Sequence, residues 1–186
     1  MTSPLRYTRT AVTLHWLIAL LMIVNVSLGV SADWLPDDWI RPVIDTHKST
    51  GITVLGLVLL RLLWRAGHPP PPLPAAYARW ERIGSHVAHA LLYALMIALP
   101  LSGWLHDSAW KDAATHPMQF FGLFEWPRIA PITRIDKATK ELLHDALGAW
   151  HTGLGYALYA LFSLHVLGAL KHQFIDRERE LQRMSL

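Results

Sequence analysis

Residues 146–170 contain no Asp, Glu, Lys or Arg, and this apolar run constrains the fold more than any other feature of the chain. A helix of this length and composition can cross a bilayer, which takes about 20 apolar residues. The run contains His151 and His165, which are close to four helical turns apart, so both rings project from nearly the same face. At 1.5 Å per residue they lie roughly 21 Å apart along the axis, one near each membrane surface. Ionisable residues inside a membrane span indicate function.

Three further apolar runs precede this one, and together they predict the fold class. We expect an all-α, integral membrane four-helix bundle in which residues 1–186 form a single domain. The first run is interpreted as a retained span rather than a signal peptide, because no small-residue cleavage site followed by a soluble domain accompanies it. The predicted membrane spans are about 10–32, 45–64, 83–106 and 145–171.

The segments between the spans differ in character. Residues 33–45 form a short acidic loop, and residues 66–82 form a connector whose proline run predicts an extended polyproline conformation. We interpret the connector as a stiff spacer, with a recognition motif as the alternative. Residues 107–145 form one long loop that lies in the interface or folds over the bundle. Asp136 is expected to be the N-cap of a helix that extends the fourth span outward, and the charged tail, residues 176–184, is expected to be helical.

Composition and charge exclude several classes of protein. The chain has no Cys, so disulfides, iron–sulfur clusters and thiolate metal sites are excluded. The pI of about 9.4 does not indicate a nucleic-acid partner, because the basic residues flank the apolar spans and membrane topology explains them better. The predicted partner of the spans is membrane lipid.

The distribution of charge predicts the orientation in the membrane. Four spans place both termini on one side, and the opposite side carries seven basic residues but ten of the fourteen acids. The positive-inside rule therefore predicts that both termini are cytoplasmic. The basic residues on the terminal side are Arg6, Arg9, Arg61, Arg65, Arg79, Arg82, Lys171, Arg177, Arg179 and Arg183.

Four histidines form two pairs at matched depths in this topology. His15 and His165 lie near the cytoplasmic surface, whereas His47 and His151 lie near the outer surface. Four structural histidines bonded to backbone carbonyls are the alternative, but matched depths favour a metal between each pair. Without Cys and with few membrane carboxylates, zinc and di-iron sites are disfavoured, and a haem with two axial histidines fits better. Such an iron has no open position and carries single electrons.

Seven short stretches carry a resemblance that covers nearly the whole chain, and they are specific as a set. They are LHWL (14–17), HKSTGI (47–52), RLLWR (61–65) followed by the proline run, HVAHALLY (86–93), FGLFEWP (121–127), WH (150–151) and SLHVLGALKHQFID (163–176). In these stretches the chain resembles the bacterial cytochrome b561 family, a four-span group with two haems b.

The resemblance implies a ligand set and an activity. It implies that His15 pairs with His165 and His47 with His151 as the axial ligands of two haem b groups. It also implies electron exchange with ubiquinone. Some family members resemble superoxide oxidases, which take an electron from superoxide at the periplasmic face and pass it to quinone. Six basic residues on the outer side could steer a small anion, although nearby acids dilute them: Lys48, Lys111, Arg128, Arg134, Lys137 and Lys140.

Arg61 has two interpretations. As a topology anchor it would reach the headgroups by snorkelling, and as a cofactor-binding residue it would pair with a haem propionate. Glycines such as Gly51 and Gly56 leave room either for a haem or for a neighbouring helix. Trp16 and Trp150, each adjacent to a candidate ligand, are either membrane anchors or haem-packing residues.

The remaining histidines are assigned less sharply. His86 and His89 are rival ligands, propionate or quinone contacts, or interfacial residues. His144 and His172 share the ligand stripe but lie beyond the apolar core, so water access is favoured over propionate or substrate contact. His106 is expected to be a loop residue, as is His116.

Three hypotheses about function follow. The first is a di-haem electron-transfer protein that exchanges electrons with ubiquinone, with superoxide oxidation as a further activity. The second is a haem b membrane anchor and electron conduit for a periplasmic redox partner, docked on the long outer loop. The third is a haem-free transporter or scaffold, which ranks last because internal repeats and broken helices are lacking.

Overall fold

The computed structural model describes residues 6–74 and 76–185, so the start of the N-terminal segment discussed above lies outside the described residues. Four helices in this part of the chain are long and apolar enough to cross a membrane. The α-helices are α1 (Arg9–Ser31), α2 (Asp37–Gly67), α3 (Arg79–Ser108), a short α4 (Ala130–Thr133), α5 (Lys137–Leu170) and a short α6 (Glu180–Arg183). A 3₁₀ turn (Ala32–Trp34) follows α1, and a π-helical turn (Lys171–Ile175) continues α5.

Side chains close the N-termini of three of the four long helices, α1, α3 and α5. The Thr8 hydroxyl accepts a hydrogen bond from the Ala11 amide, and the Asp136 carboxylate accepts one from the Thr139 amide. The Glu81 carboxylate reaches back to the Ala78 amide at the start of α3. Each bond satisfies an amide that has no partner within its helix. The Asp136 N-cap agrees with the sequence analysis.

The four long helices form a bundle whose interior is small. α1 packs against α2, α2 against α3, and α3 against α5. Ile18, Val54 and Val58 form one buried cluster, and a second joins α1, α3 and α5 through Met22, Leu92 and Leu158. Many other apolar side chains face outward, as expected where lipid replaces water as the solvent. Examples are Leu20, Leu63, Tyr156, Leu164 and Leu167.

The helices are longer than the predicted spans, and most of the extra length is at two places. α2 begins at Asp37, so most of the predicted acidic loop is helical, and α5 begins at Lys137, well before residue 145. Both segments are too polar to count as membrane span but pack as extensions of the bundle. The charged tail was predicted to be helical throughout, but only Glu180–Arg183 of it is α-helical.

The long loop folds over one end of the bundle, which we call the loop end. A two-residue antiparallel ladder pairs Gln119–Phe120 with Phe124–Glu125. The buried Ser49 hydroxyl joins this hairpin to α2, since it donates to the Gln119 carbonyl and accepts from the Phe121 amide. Asp107 at the end of α3 is 5% exposed and binds Lys48 Nζ and Arg128 Nε, both at 2.8 Å. These contacts fix the loop to α2 and α3.

The described termini meet at the other end, which we call the terminal end. The Tyr7 amide donates to the Arg183 carbonyl, and Trp16 Nε1 donates to the Met184 carbonyl. The Arg183 guanidinium also donates to the carbonyls of Pro71 and Pro72. The proline connector is therefore held against the tail of its own chain.

Candidate functional site

The bundle brings the four candidate ligands together as two pairs. The ring centroids of His15 and His165 lie 6.3 Å apart at the terminal end, and those of His47 and His151 lie 6.0 Å apart at the loop end. Both pairs include α5, which extends between the two ends. The fourteen-residue spacing on α5 therefore separates the two sites along the bundle axis, by roughly 21 Å.

Hydrogen bonds orient both rings at the loop end. His47 Nδ1 donates to the Asn25 carbonyl at 2.8 Å. His151 Nδ1 lies 3.0 Å from the Ser102 hydroxyl, which itself donates to the Leu99 carbonyl. The hydroxyl proton is thus used on Leu99, so His151 Nδ1 is the donor. With both Nδ1 atoms protonated, the Nε2 lone pairs are left to bind a metal. In histidine metal sites the ring nitrogen that does not bind the metal usually donates a hydrogen bond in this way.

Glycines on the facing helices make room for these rings. A Cβ atom on Gly29 would lie 2.9 Å from His47 Cε1, and one on Gly103 would lie 3.2 Å from His151 Cε1. Both distances are shorter than ordinary carbon contacts of about 3.5–4.0 Å. A side chain at either glycine would therefore displace the ring. Neither glycine was among those predicted from the sequence to make room for a haem or a helix.

We expect Gly29→Ala to destabilise the loop end by about 1–3 kcal/mol, because the new methyl group must move the His47 ring or separate α1 from α2. The free energy of unfolding in detergent, measured by chemical denaturation, checks this. Gly56→Ala is the matched control on α2, since nothing lies within 4 Å of its Cβ position and alanine favours helix. Equal stability of the two variants would contradict the assigned clash.

A cavity of about 860 Å³ opens between the helices at the loop end, and both His47 and His151 line it. Its volume lies within the usual range for ligand sites, about 300–1,000 Å³. Residues from the middle of the helices give it an apolar wall, which includes Met22, Leu99 and Leu158. Residues nearer the helix ends give it a polar wall, which includes Arg41, Lys48 and Asp107.

The terminal end contains a third imidazole. The His89 ring centroid lies 5.2 Å from that of His165, and the Ser85 hydroxyl lies 3.4 Å from His89 Nδ1. His86 is exposed and its Nδ1 donates to the Arg82 carbonyl one turn earlier, so it is held on its own helix. The terminal end thus offers His15 and His89 as neighbours of His165.

Arg61 is directed into the bundle rather than towards the headgroups. Its Nε donates to the Tyr93 hydroxyl at 2.9 Å, and its Nη1 donates to the Ala11 carbonyl at 2.6 Å. These bonds join α1, α2 and α3 near the His15 pair. Snorkelling to the membrane surface was therefore the wrong interpretation of this side chain. Trp150, in contrast, is 68% exposed, as a membrane-facing residue would be.

His172 belongs to a separate polar cluster below the terminal end. Its Nδ1 binds Asp176, its ring stacks on Tyr77, and the Lys171 ammonium lies 2.7 Å from both Glu81 and Asp176. The hydrogen bond from Lys171 holds the pKa of the Asp176 carboxyl below its usual range. The carboxylates are therefore already neutralised by an ammonium, which occupies the position that a metal cation would need.

His106 was wrongly predicted to be a loop residue, because it lies in α3 and stacks on His144 of α5 with ring centroids 3.8 Å apart. His144 is half-buried in this stack rather than freely solvated. The stacking of these two rings could not be recognised from sequence spacing, since His106 and His144 lie 38 positions apart in the chain.

The ring separations test whether a haem fits the histidine pairs. An iron bonded at about 2 Å to one nitrogen of each of two opposed imidazoles holds their ring centroids roughly 6 Å apart. The two pairs, at 6.0 and 6.3 Å, match this separation, whereas His89 and His165, at 5.2 Å, are closer. The nitrogen-only donor set and the mostly apolar cavity also suit a haem.

Comparison with known proteins shows which family the chain resembles. The profile of the prokaryotic cytochrome b561 family matches residues 6–185. Cytochrome b561 homolog 2 of Escherichia coli strain K12 is 34% identical over 185 residues, covering 98% of this chain and 92% of the relative. A probable superoxide oxidase of Yersinia pestis, CybB, is 28% identical over 96% of this chain and 95% of its own length. Cytochrome b561 homolog 1 of Escherichia coli is 26% identical over 96% of each chain.

These matches extend over nearly the whole chain, and its four apolar helices suit a multi-pass protein of the bacterial inner membrane. Family membership implies haem b as the cofactor. The chain therefore belongs to the prokaryotic cytochrome b561 family.

Proposed function

We propose that this protein carries single electrons across the bacterial inner membrane through two bis-histidine haem b groups and exchanges them with ubiquinone. One observation carries the proposal. Two imidazole pairs, each with one member on α5, lie towards opposite ends of that helix and have the separation that an iron between two axial histidines requires. Haem iron with two axial histidines supplies one-electron chemistry without an open coordination position.

The residues of the chain have distinct roles in this proposal. His15 and His165 hold the haem at the terminal end, and His47 and His151 hold the one at the loop end. Asn25 and Ser102 orient the loop-end rings through their Nδ1 atoms. Arg61, already directed inward near His15, is proposed to pair with a propionate at the terminal end.

The proposed orientation places both termini in the cytoplasm and the loop end in the periplasm. The excess of basic residues at the terminal end supports it, because such residues remain on the cytoplasmic side. The cavity at the loop end would then face the periplasm.

A reduced-minus-oxidised optical spectrum, combined with a pyridine haemochrome count per chain, tests the haem proposal. We expect two haems b per chain, both reduced by a ubiquinol analogue in stopped-flow mixing. A protein purified from haem-supplemented cells without a Soret band would overturn the proposal. Haems that neither reduce with quinol nor reoxidise with quinone would overturn its quinone half.

Superoxide oxidation at the periplasmic face is a second candidate, favoured by the relative named as a probable superoxide oxidase. The contacts limit which basic residues could steer the anion. Lys48 and Arg128 are bound to Asp107, and Lys140 donates to the Thr133 carbonyl, which leaves the exposed Lys111, Arg134 and Lys137 as the candidates for steering. Rapid mixing with superoxide should reduce the haems as superoxide is oxidised to oxygen, and added ubiquinone should then reoxidise them. Haems that superoxide does not reduce would remove this candidate.

A role as electron conduit for a periplasmic partner is supported by a different surface. The tip of the loop-end hairpin exposes Phe121, Leu123 and Phe124, of which Leu123 is 77% exposed. Exposed apolar residues of this kind mark contacts with protein or lipid. Co-purification of a soluble redox protein that is lost on Leu123→Ser would support this role.

A further inference from the structure

His106 and His144 form a reciprocal pair at the loop end. His106 Nδ1 donates to the His144 carbonyl at 2.9 Å, and His144 Nδ1 donates to the His106 carbonyl at 3.0 Å. The rings stack with an interplanar angle of 19°. Because carbonyl oxygens only accept hydrogen bonds, both Nδ1 atoms carry protons and both Nε2 atoms are left for another partner.

The His106 ring is positioned in the same way as the two rings proposed to bind iron nearby. A Cβ atom on Gly148 would lie 3.0 Å from His106 Cε1, as Gly29 and Gly103 lie close to His47 and His151. In each case a glycine on a facing helix makes room for an imidazole whose Nδ1 is already bonded. Such packing limits the rotation of the ring and fixes where its Nε2 points.

The pair lines the same 860 Å³ cavity as His47 and His151. The apolar wall of this cavity comes from the middle of the helices, so the carboxylate edge of a bound haem would turn towards the polar wall near the helix ends. The lysine in that wall is already paired, since Lys48 binds Asp45 at 3.2 Å and Asp107 at 2.8 Å. Arg41 is 3.9 Å from Asp45 and lies over the Trp110 ring.

Within residues 6–74 and 76–185, the Nε2 atoms of His106 and His144 have no hydrogen-bond partner. In the neutral imidazoles these atoms present lone pairs, so a carboxyl group can bind here together with a proton that lies between it and an Nε2 atom. We propose that His106 and His144 bind a propionate carboxyl of the haem held by His47 and His151, an inference that rests on the proposed function. The carboxyl and the imidazoles share a proton, which makes the contact a charge-assisted hydrogen bond.

The test uses the holoprotein and a variant that removes both imidazole rings, and with them Nε2, but keeps a donor at the position of Nδ1. In His106→Asn/His144→Asn, the amide nitrogen can still donate to the carbonyl of the facing helix, so the link between α3 and α5 is retained. We expect the loop-end haem to pass to apomyoglobin roughly tenfold to a hundredfold faster, as for loss of a hydrogen bond to a charged group. Release of the terminal-end haem should be unchanged. His116→Asn is the matched control, because His116 lies outside the cavity.

A second measurement separates propionate binding from general loosening of the cavity. After the loop-end haem has been withdrawn, the protein is refilled with haem dimethyl ester, whose propionates cannot ionise. The ester should leave the wild type and the double variant at the same rate. Equal rates for ordinary haem in the two proteins would overturn the inference, as would equal acceleration for haem and ester. A wild type with no haem at the loop end would instead overturn the proposed function.

Discussion

Replacing His47 and His151 together with alanine is expected to reduce the haem content from the two haems b per chain that we propose to one. Neither alanine can bind iron, so the 860 Å³ cavity loses both of its proposed axial ligands. The pair at the terminal end is roughly four helical turns away on α5 and does not share residues with this site. The pyridine haemochrome count and a redox titration, which should change from two components to one, measure the result.

The complementary variant His15→Ala/His165→Ala should remove the other haem. Because His15 and His89 both neighbour His165, the single variant His89→Ala decides between these rival ligands, and it should retain both haems. His86→Ala is the matched control, since that imidazole is exposed and bonded to its own helix. Two haems retained in either double variant would contradict the ligand assignment, and so would loss of both haems from a variant that is still folded by circular dichroism.

Replacing Asp107 with alanine is expected to lower the free energy of unfolding by about 3–5 kcal/mol, the effect of removing one partner from a buried ion pair. Asp107 is 5% exposed, and its carboxylate accepts from both Lys48 and Arg128. Without it, two cations are left together at the loop end. Arg128 also donates to the Ala113 and His116 carbonyls, so the loop itself should loosen. Chemical denaturation in detergent measures the change.

Two further variants control the Asp107 prediction. Asp112→Ala removes an exposed carboxylate from the same loop and should change stability by less than about 0.5 kcal/mol. Asp107→Asn retains the shape but loses the charge, so we expect an intermediate effect. An Asp107→Ala protein as stable as Asp112→Ala would show that the ion pair does not hold the loop. The haem count of these variants reports separately on the cavity, since Asp107 lines it.

Much of the architecture could be predicted from the order of residues. The four apolar runs predicted four helices, because hydropathy over some 20 residues is a local property. The spacing of His151 and His165 predicted their common face, because helical geometry fixes the direction of each side chain. Asp136 was recognisable as an N-cap, because its side chain can accept a hydrogen bond from an amide of the first helical turn. The helix ends were less predictable, since the polar start of α2 and of α5 is helical through packing rather than hydropathy.

The sequence by itself therefore determined the spans, the stripe of histidines and the matched depths of two pairs, all of which follow from local periodicity. Only the tertiary structure decided that Arg61 turns inward to Tyr93, that Gly29 and Gly103 make room for imidazoles, and that His106 stacks on His144. Each of these contacts joins residues from different helices. They depend on how the helices rotate and approach one another, and no local pattern encodes that arrangement.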